Sequence, residues 1–498
     1  MRRLLALWAI AVAVQLPLAR AELPAPIKTF KHEGSVDVVA FAPDGKTLAV
    51  GSRDSTITLW KLGTDREPRR LTVPVGRLVN LSFSPDSRYL ASTGSDGHIR
   101  LWSVATGDEV RDFDQKPQVV HYGSFTPDGK TLVAGNSRGI VRRWDPLTGA
   151  EMESFQIPAA VRSVACSPDG KAVAVGVSHL RSNKPDGPIA KGLPLLDLAN
   201  GTPLRSFEGH AAQVLFTPDG RTILGWPDDD MIRLWETVTG RERGRIAGRF
   251  NAVAIAPDGK LLAGADRVEG IIRVWDLALL KEVQHFDGHD SDISALAFAP
   301  DGKTLASGSG DFTAMLWDLT AVRKKSQTPA DPLTVADLET RWNFLAVDDG
   351  ARAYQAITSL ARGPRETPAF IRDRLQRSLI DPKRLARLIV ELDDNRFEVR
   401  EKASEELAKL GNLADPALRE ALKRNPPLEV VRRIEALQEK LEKGVLAPEQ
   451  LRQLRAVEAL EHMGTPEARA VLDALAAQTP ATLMSQEAQA AVRRLAGK

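Results

Sequence analysis

The chain is poor in cysteine and tyrosine and has almost no excess charge of either sign. Cys166 is the only cysteine among 498 residues, which excludes an intramolecular disulfide framework and a metal cluster built from several cysteines. Lysine and arginine number 67 against 65 aspartates and glutamates. No global basic field therefore favours nucleic acid, and we expect none as a partner. Tyrosine occurs three times but tryptophan nine times, and this skew indicates a repeated tryptophan position.

The N-terminal segment combines positive charge with a short apolar run. Arg2 and Arg3 precede the hydrophobic stretch, and Ala19-Arg-Ala21 places small residues at its end. This order is typical of a secretory signal peptide. We predict a signal peptide over residues 1–21, cleavage near Ala21, and an exported protein, periplasmic or secreted, without a transmembrane span in its mature part. The alternative is an uncleaved N-terminal anchor.

A turn sequence of proline, aspartate and a small residue recurs about every 42 residues. Its prolines are Pro43, Pro85, Pro127, Pro168, Pro218, Pro257 and Pro300. Proline, aspartate and glycine are residues of tight turns, and each turn lies between two short runs with strand-like alternation. Repeats of about 40–45 residues with four short strands are typical of propeller blades. The spacing predicts a seven-bladed all-β propeller over residues 22–321.

The last repeat carries a more specific pattern. Gly288-His289, Ser307, Asp311 and Trp317-Asp318 resemble the Gly-His to Trp-Asp signature of the WD40 family, in a bacterial, exported form. The resemblance implies that His289, Ser307, Asp311 and Trp317 form a hydrogen-bonded structural tetrad and take no part in catalysis. Propellers of the TolB kind also contain such turns and are the alternative, but the Trp-Asp and Gly-His pairs favour WD40.

The other repeats keep less of this signature. Only His32 and His210 also occupy the histidine position, and Leu196 replaces tryptophan in the fourth repeat. We therefore expect most of the cohesion between blades to come from apolar packing. An insertion over residues 178–194 of the fourth repeat is rich in turn formers. It is interpreted as a solvated hairpin extension or, alternatively, as a loop that contacts a partner.

The two ends of the repeat array must pair if the ring is to close. Residues 26–30 precede the first histidine as residues 283–286 precede the last. We therefore expect residues 26–30 to form the outer strand of the seventh blade. Removal of residues 22–31 is then predicted to destabilise the whole propeller.

The C-terminal third changes from alternating to helical periodicity. Residues 322–333 read as a linker, and residues 334–498 as a smaller all-α domain of HEAT-like helical pairs. A helix–turn–helix pair is predicted over residues 454–475. The predicted helix N-caps are Asp381, Asp415, Thr465 and Ser485.

The sequence carries no recognisable enzyme signature, such as a P-loop, a nucleophile elbow or a zinc-protease motif. His285 and His289 lie four residues apart, but on a predicted strand and turn, where this spacing does not place them on one face. The three aspartates 228–230 lack the layout of a calcium loop. We expect no catalytic residues, cofactors or metals, and a buried, inert Cys166.

In the WD40 family, partners most often dock around the central channel. Carried over by the resemblance, the candidate partner-binding residues are Asp37, Arg53, Arg77, His121, Arg162, Arg249, Asn251 and Asp292, with Ser95, Ser137, Asp228 and Ser294 beside them. Arg162 and His121 are the strongest candidates. The leading hypothesis is a non-catalytic protein–protein interaction scaffold in the cell envelope that binds a protein or peptide at the channel face. The alternative is a propeller enzyme, or a small-ligand or metal-binding protein, that uses the central channel.

Overall fold

Seven sheets and a following group of helices make up the part of the chain that the structure describes. The computed structural model describes residues 24–74, 76–114, 120–177, 192–226, 230–326, 333–378, 382–411, 414–442, 446–478 and 482–496. The described residues form seven four-stranded antiparallel sheets and then eleven helices. This confirms the predicted seven-bladed propeller followed by a smaller helical region. The predicted signal peptide and residues 178–191 of the insertion lie outside the described residues.

Each blade runs outward from the channel through four strands, which we call a, b, c and d. The strands of blades one to four are β2 (Val36–Phe41), β3 (Thr47–Ser52), β4 (Thr56–Lys61), β5 (Arg69–Thr72); β6 (Leu78–Phe83), β7 (Tyr89–Gly94), β8 (His98–Ser103), β9 (Glu109–Asp114); β10 (Val120–Phe125), β11 (Leu132–Asn136), β12 (Ile140–Trp144), β13 (Phe155–Gln156); β14 (Val161–Cys166), β15 (Ala172–Val177), β16 (Gly192–Asp197) and β17 (Pro203–Glu208). Those of blades five to seven are β18 (Gln213–Phe216), β19 (Thr222–Trp226), β20 (Met231–Glu236), β21 (Glu242–Ala247); β22 (Phe250–Ile255), β23 (Leu261–Asp266), β24 (Ile272–Asp276), β25 (Lys281–Phe286); β26 (Ile293–Phe298), β27 (Thr304–Ser309), β28 (Thr313–Asp318) and β1 (Lys28–Lys31).

The ring closes through its first strand. β1 pairs antiparallel with β28, with Phe30 opposite Ala314, so it is strand d of blade seven, as the repeat pattern predicted. The Phe30 ring is almost completely buried and lies 4.6 Å, between centroids, from the ring of Trp60 in blade one. This contact joins the last blade to the first.

The same aromatic contact recurs between other neighbouring blades. Phe113 of blade two packs on Trp144 of blade three, at 5.8 Å between ring centroids. Phe286 of blade six packs on Trp317 of blade seven, at 5.3 Å. A strand d side chain thus covers the strand c tryptophan of the next blade. This contact accounts for the tryptophan that recurs in strand c.

The helices form two groups with separate apolar cores. Their bounds are α1 (Thr320–Ser326), α2 (Val335–Phe344), α3 (Gly350–Ala361), α4 (Thr367–Ser378), α5 (Pro382–Glu391), α6 (Phe397–Leu410), α7 (Asp415–Leu422), α8 (Leu428–Glu442), α9 (Pro448–Met463), α10 (Pro466–Ala476) and α11 (Leu483–Ala496). α2–α4 and α9–α11 share one core around α9, which is buried on several sides. α5–α8 share a second core. The predicted helical pair over residues 454–475 is confirmed by α9 and α10. The HEAT-like arrangement stays a prediction.

The predicted linker begins within a helix. α1 covers residues 320–326 and lies against the propeller, where Val322 is buried and Arg323 bonds with Asp258. Residues 327–332, in the middle of the predicted linker, lie outside the described residues. Within the described ranges, no helix has the length and apolar character needed to cross a bilayer.

Candidate functional site: the two faces of the propeller

The strand order gives the ring two chemically different faces. Because neighbouring strands are antiparallel, the a–b turns and the c–d turns emerge on one face, which we call the turn face. The b–c turns and the connections between blades emerge on the opposite face, which we call the open face. The recurring Pro-Asp-Gly turns join strands a and b and so lie on the turn face. The candidate partner-binding residues that the structure describes all lie on the open face.

Asp37 joins blades one and two at the open face. Its side chain is only 3% exposed, and its two oxygens accept hydrogen bonds from Arg53 at 3.0 and 3.3 Å and from Arg77 at 2.8 and 3.2 Å. Both arginine side chains are more than half exposed. One buried carboxylate is thus shared between two exposed arginine side chains, so the cluster of these three residues has one positive charge in excess. Asp37 positions the two arginines and leaves their outer N–H donors open to a partner.

A polar pocket of about 590 Å³ opens between blades seven and one, on the same face. Arg53 and Asp54 line one side, and the predicted residues Asp292 and Ser294 line the other. Phe312 adds an exposed ring, held out by a backbone φ of 68° in its turn. A left-handed φ is unusual for a bulky side chain, so the local backbone positions this ring at the mouth.

The remaining predicted residues are spread around the channel mouth. Arg162 begins blade four and is exposed, and Asn251 is exposed in blade six. Arg249 pairs with Asp230, and this hydrogen bond lowers the pKa of the Asp230 carboxyl and raises that of the guanidinium. His121 lies in β10, and its side chain is outside the described part of the chain, as is Asp228. The structure therefore brings Asp37, Arg53 and Arg77 together and leaves Arg162 at a separate position.

The predicted tetrad is present in blade seven. His289 Nδ1 donates to Asp311 at 2.8 Å, Ser307 Oγ lies 2.7 Å from His289 Nε2, and Trp317 Nε1 donates to Ser307 Oγ at 2.8 Å. Burial lowers the pKa of His289 against the opposing effect of Asp311, so the imidazole is neutral and can accept from the serine hydroxyl. Each polar side chain of this hydrogen-bonded group has a partner within the group, as expected of a structural element of the fold.

Blade one has lost one member of the same arrangement. Val50 occupies the position of Ser307, and His32 Nε2 and Trp60 Nε1 have no hydrogen-bond partner among the described residues. Burial lowers the pKa of His32 to about 4, although Asp54 partly opposes the shift. The imidazole is thus held neutral in a site that satisfies it incompletely.

Cys166 has no feature of a reactive thiol. It lies in β14 and is half-buried, and burial raises the pKa of its thiol to about 12. A thiol with this pKa is protonated at neutral pH and is a poor nucleophile.

The turn face carries an interface that the sequence did not predict. Glu236, which ends β20, accepts hydrogen bonds from Arg455 of α9 at 2.7 and 2.9 Å. Arg243 of β21 donates to Glu458 of α9 at 2.6 and 2.9 Å. All four side chains are at most 5% exposed. Burial would raise the pKa of Glu236, but the Arg455 hydrogen bond and the nearby Arg243 charge bring it down to about 2.

Further contacts fix the helices on blades five and six. Tyr354 of α3 donates from its hydroxyl to the Leu277 carbonyl at 3.0 Å, and Arg362 bonds with the buried Asp276 at 2.6 Å. At Gly350 an added Cβ would lie 2.5 Å from the Glu242 carbonyl oxygen, so only glycine permits this approach. Glu236 and Asp276 are the acidic residues of the Trp-Glu and Trp-Asp pairs in these blades, so the signature residues also bind the helical region.

One group at this interface has the composition of a metal site. Ligand atoms of Asp219, Glu458 and His462 lie within 4.8 Å of one another. However, both Glu458 oxygens accept from Arg243, and the Asp219 carboxylate is stabilised by His462 and by the Arg221 charge. These contacts lower its pKa well below the usual range despite its burial. Two arginines beside the ligands oppose a divalent cation. The donor set fits an ion-pair network better than a metal centre.

Comparison with known proteins supports a WD40 assignment of the propeller. Residues 24–61, 74–103, 201–236 and 280–318 match the family model described as "WD domain, G-beta repeat". These stretches fall in repeats one, two, five and seven and cover well under half of the chain. The third, fourth and sixth repeats form blades although their turn or tryptophan positions depart from the signature, with Arg138, Leu196 and Glu269 there.

Curated relatives match only parts of the chain. "Target of rapamycin complex subunit wat1" of Schizosaccharomyces pombe is 35% identical over 98 residues, which are 19% of this chain and 31% of that protein. "Guanine nucleotide-binding protein subunit beta" of Solanum tuberosum is 27% identical over 186 residues, 33% of this chain and 47% of that protein. "Protein groucho" of Drosophila melanogaster is 30% identical over 125 residues, which are 24% of this chain and 17% of that protein. The chain spans less than half the length of each of these relatives. Its bacterial origin stays a prediction.

Proposed function

We propose that this chain, with its WD40 repeats, is a non-catalytic protein-interaction scaffold whose open face binds an acidic segment of a protein partner. One observation carries the proposal. The helical region occupies the turn face over blades five and six through buried ion pairs, whereas the described candidate residues lie on the opposite face. Two relatives that are similar to the propeller are named as subunits of larger proteins or complexes. Association through a propeller is therefore a reasonable expectation for this chain.

The chemistry of the open face favours a partner with negative charge. Arg53 and Arg77 share the single carboxylate of Asp37, and Arg162 is exposed further along the ring. Exposed guanidinium groups with free donors bind carboxylates in a forked, charge-assisted geometry. Arginine is also enriched among the residues that dominate protein–protein binding. The pocket between blades seven and one is lined by Glu33, Asp54 and Asp292 as well as by hydroxyl groups. We therefore expect the acidic segment to bind at the arginines and not inside this pocket.

We place this scaffold in the cell envelope. The support is the pattern of residues 1–21, which is typical of a signal peptide. In this proposal the partner is an exported protein, or the exposed segment of an envelope protein, and the helical region offers a second surface on the other side of the ring.

Affinity capture tests the proposal directly. The full chain is used as bait in a cross-linked envelope extract, and captured proteins are quantified by mass spectrometry. The test variant combines Arg53→Gln, Arg77→Gln and Arg162→Glu, which removes the open-face guanidinium groups on which the proposal rests. The control is Lys130→Glu, a charge reversal of an exposed turn-face lysine. We expect a saturable partner that is reduced about tenfold or more in the test variant, as for the loss of a charge-assisted bond, and retained by the control.

Two outcomes contradict the proposal. A partner held equally by all the variants binds elsewhere, on the insertion or the helical region. A correctly folded chain that captures no protein contradicts the scaffold assignment itself, and metal and small-molecule screening would then test the alternative use of the channel.

A further inference from the structure

A cleft of about 390 Å³ lies where α9 and α11 meet blades four and five. Its walls are largely aliphatic, with Leu195 and Leu204 from blade four, Leu454 from α9 and Leu483 from α11. Leu204 and Leu483 are 51% and 42% exposed at its edge. The volume falls in the range of small-ligand sites, about 300–1,000 Å³, which are typically apolar with a few placed polar groups.

The arginines that line the cleft differ in their partners. Arg221, Arg243 and Arg455 each pair with glutamates. Arg205 forms no ion pair among the described residues, and its Nη1 donates to the Thr239 carbonyl at 3.0 Å. Burial lowers the pKa of this guanidinium against a smaller opposing effect of Glu236. Its charge is therefore partly desolvated without a carboxylate in contact, and most of its donors remain to be used.

We propose that this cleft binds a medium-chain aliphatic carboxylate, with the chain against the leucines and the carboxylate on Arg205. The aliphatic walls would bury the methylene groups, each of which favours transfer from water. The Arg205 guanidinium would donate two N–H hydrogen bonds to the two oxygens of the carboxylate. The other three arginines of the cleft already pair with glutamates, and the ligand would supply the carboxylate that Arg205 lacks. This site is separate from the open face and does not depend on the proposed scaffold function.

A second arginine makes the same kind of contact as Arg205 and provides a matched control variant. Arg111 of blade two donates in the same way from Nη2 to the Leu147 carbonyl of the next blade, at 2.7 Å. Arg111 does not line the cleft. Arg205→Gln and Arg111→Gln therefore remove comparable contacts between neighbouring blades, and only the first removes the charge from the cleft.

Calorimetric titration of the full chain with decanoate, below its micelle concentration, tests the proposal. We expect saturable binding with a Kd on the order of 10–100 µM for a ligand of this size. Arg205→Gln should weaken it about tenfold or more, and decanol, which has no charge, should bind similarly weakly. Arg111→Gln should bind as the wild type does. Leu483→Ser, at the half-exposed edge, should weaken binding severalfold with little risk to folding.

The proposal is overturned by any of three results. The first is no saturable heat from decanoate up to about 1 mM, which would exceed the expected Kd at least tenfold. The second is equal binding by wild type and Arg205→Gln. The third result applies if Arg205→Gln does not fold. It is that Leu483→Ser binds decanoate as tightly as the wild type does, and that the wild type binds decanoate no more tightly than decanol.

Discussion

Truncation of Phe30 to alanine should open the propeller ring although the residue lies near the end of the described chain. Its ring is 3% exposed and packs on Trp60 of the first blade at 4.6 Å between centroids. Loss of a buried phenylalanine side chain costs about 3–5 kcal/mol, including about 0.5–1.5 kcal/mol for the aromatic pair. Chain ends that are not tied down tolerate change, so a cost of this size is expected only if β1 closes the ring.

Phe286 provides the internal reference, because it makes the same contact with Trp317 between blades six and seven and is 1% exposed. Urea unfolding followed by tryptophan fluorescence should give similar losses for Phe30→Ala and Phe286→Ala, in the range of about 3–5 kcal/mol. Ile27→Ala, at a 59% exposed position, should stay within about 0.5 kcal/mol of wild type. A loss below about 0.5 kcal/mol for Phe30→Ala, beside a full loss for Phe286→Ala, would refute closure by β1.

Three further predictions concern buried polar groups. Because the pKa of His32 falls from 6.5 to about 4 on folding, its contribution is complete above pH 6.5 and is lost as the pH falls toward 4. Wild type should lose up to about 3 kcal/mol over this window, and His32→Gln should lose less in urea titrations at pH 7 and pH 4.5. Val50→Ser restores a hydroxyl between His32 and Trp60 and should stay within about 1 kcal/mol of wild type, whereas Ser307→Val should cost about 2–4 kcal/mol by thermal unfolding. Glu236→Gln should cost about 3 kcal/mol by leaving buried arginines underpaired, detected as faster proteolytic release of the helical region, and an unchanged cleavage rate would contradict this role.

The propeller was predictable because its signals are local in sequence. Each Pro-Asp-Gly turn marks a hairpin within a few residues, and the position of β1 follows from the phase of the repeats. The interface on the turn face leaves no such local signal. Glu236 and Arg455 are 219 residues apart, and in sequence each is an ordinary charged residue of a strand end or a helix. A glutamate stands where aspartate follows other tryptophans, but Lys61 and Ser103 depart from the same position, so this change does not mark the interface.

The ends of the helices were also predicted only in part from the sequence. Thr465 caps α10 by accepting from Ala468 N, as predicted. Asp415 was wrong as an N-cap because it already lies in α7, after Ala414. Ser485 was also wrong, because Thr482 accepts from Ser485 N at 3.1 Å and Ser485 Oγ accepts in return from Thr482 N at 2.8 Å. Two hydroxyl residues three apart satisfy each other's backbone donors, and the sequence alone does not say which of them begins the helix. The Asp381 prediction lies outside the described residues.

The buried ion pairs decide how the two parts of the molecule can work together. Charged side chains at most 5% exposed, such as Glu236, Arg243 and Glu458, can separate only if several desolvated charges become unpaired at once, and each loss of a partner costs about 3–5 kcal/mol. The helices that share the core around α9 are therefore held at one orientation on the turn face. The open face and the outer surface of these helices then lie on opposite sides of one unit. In the proposed scaffold, a partner on each side would be kept at a fixed separation by these ion pairs.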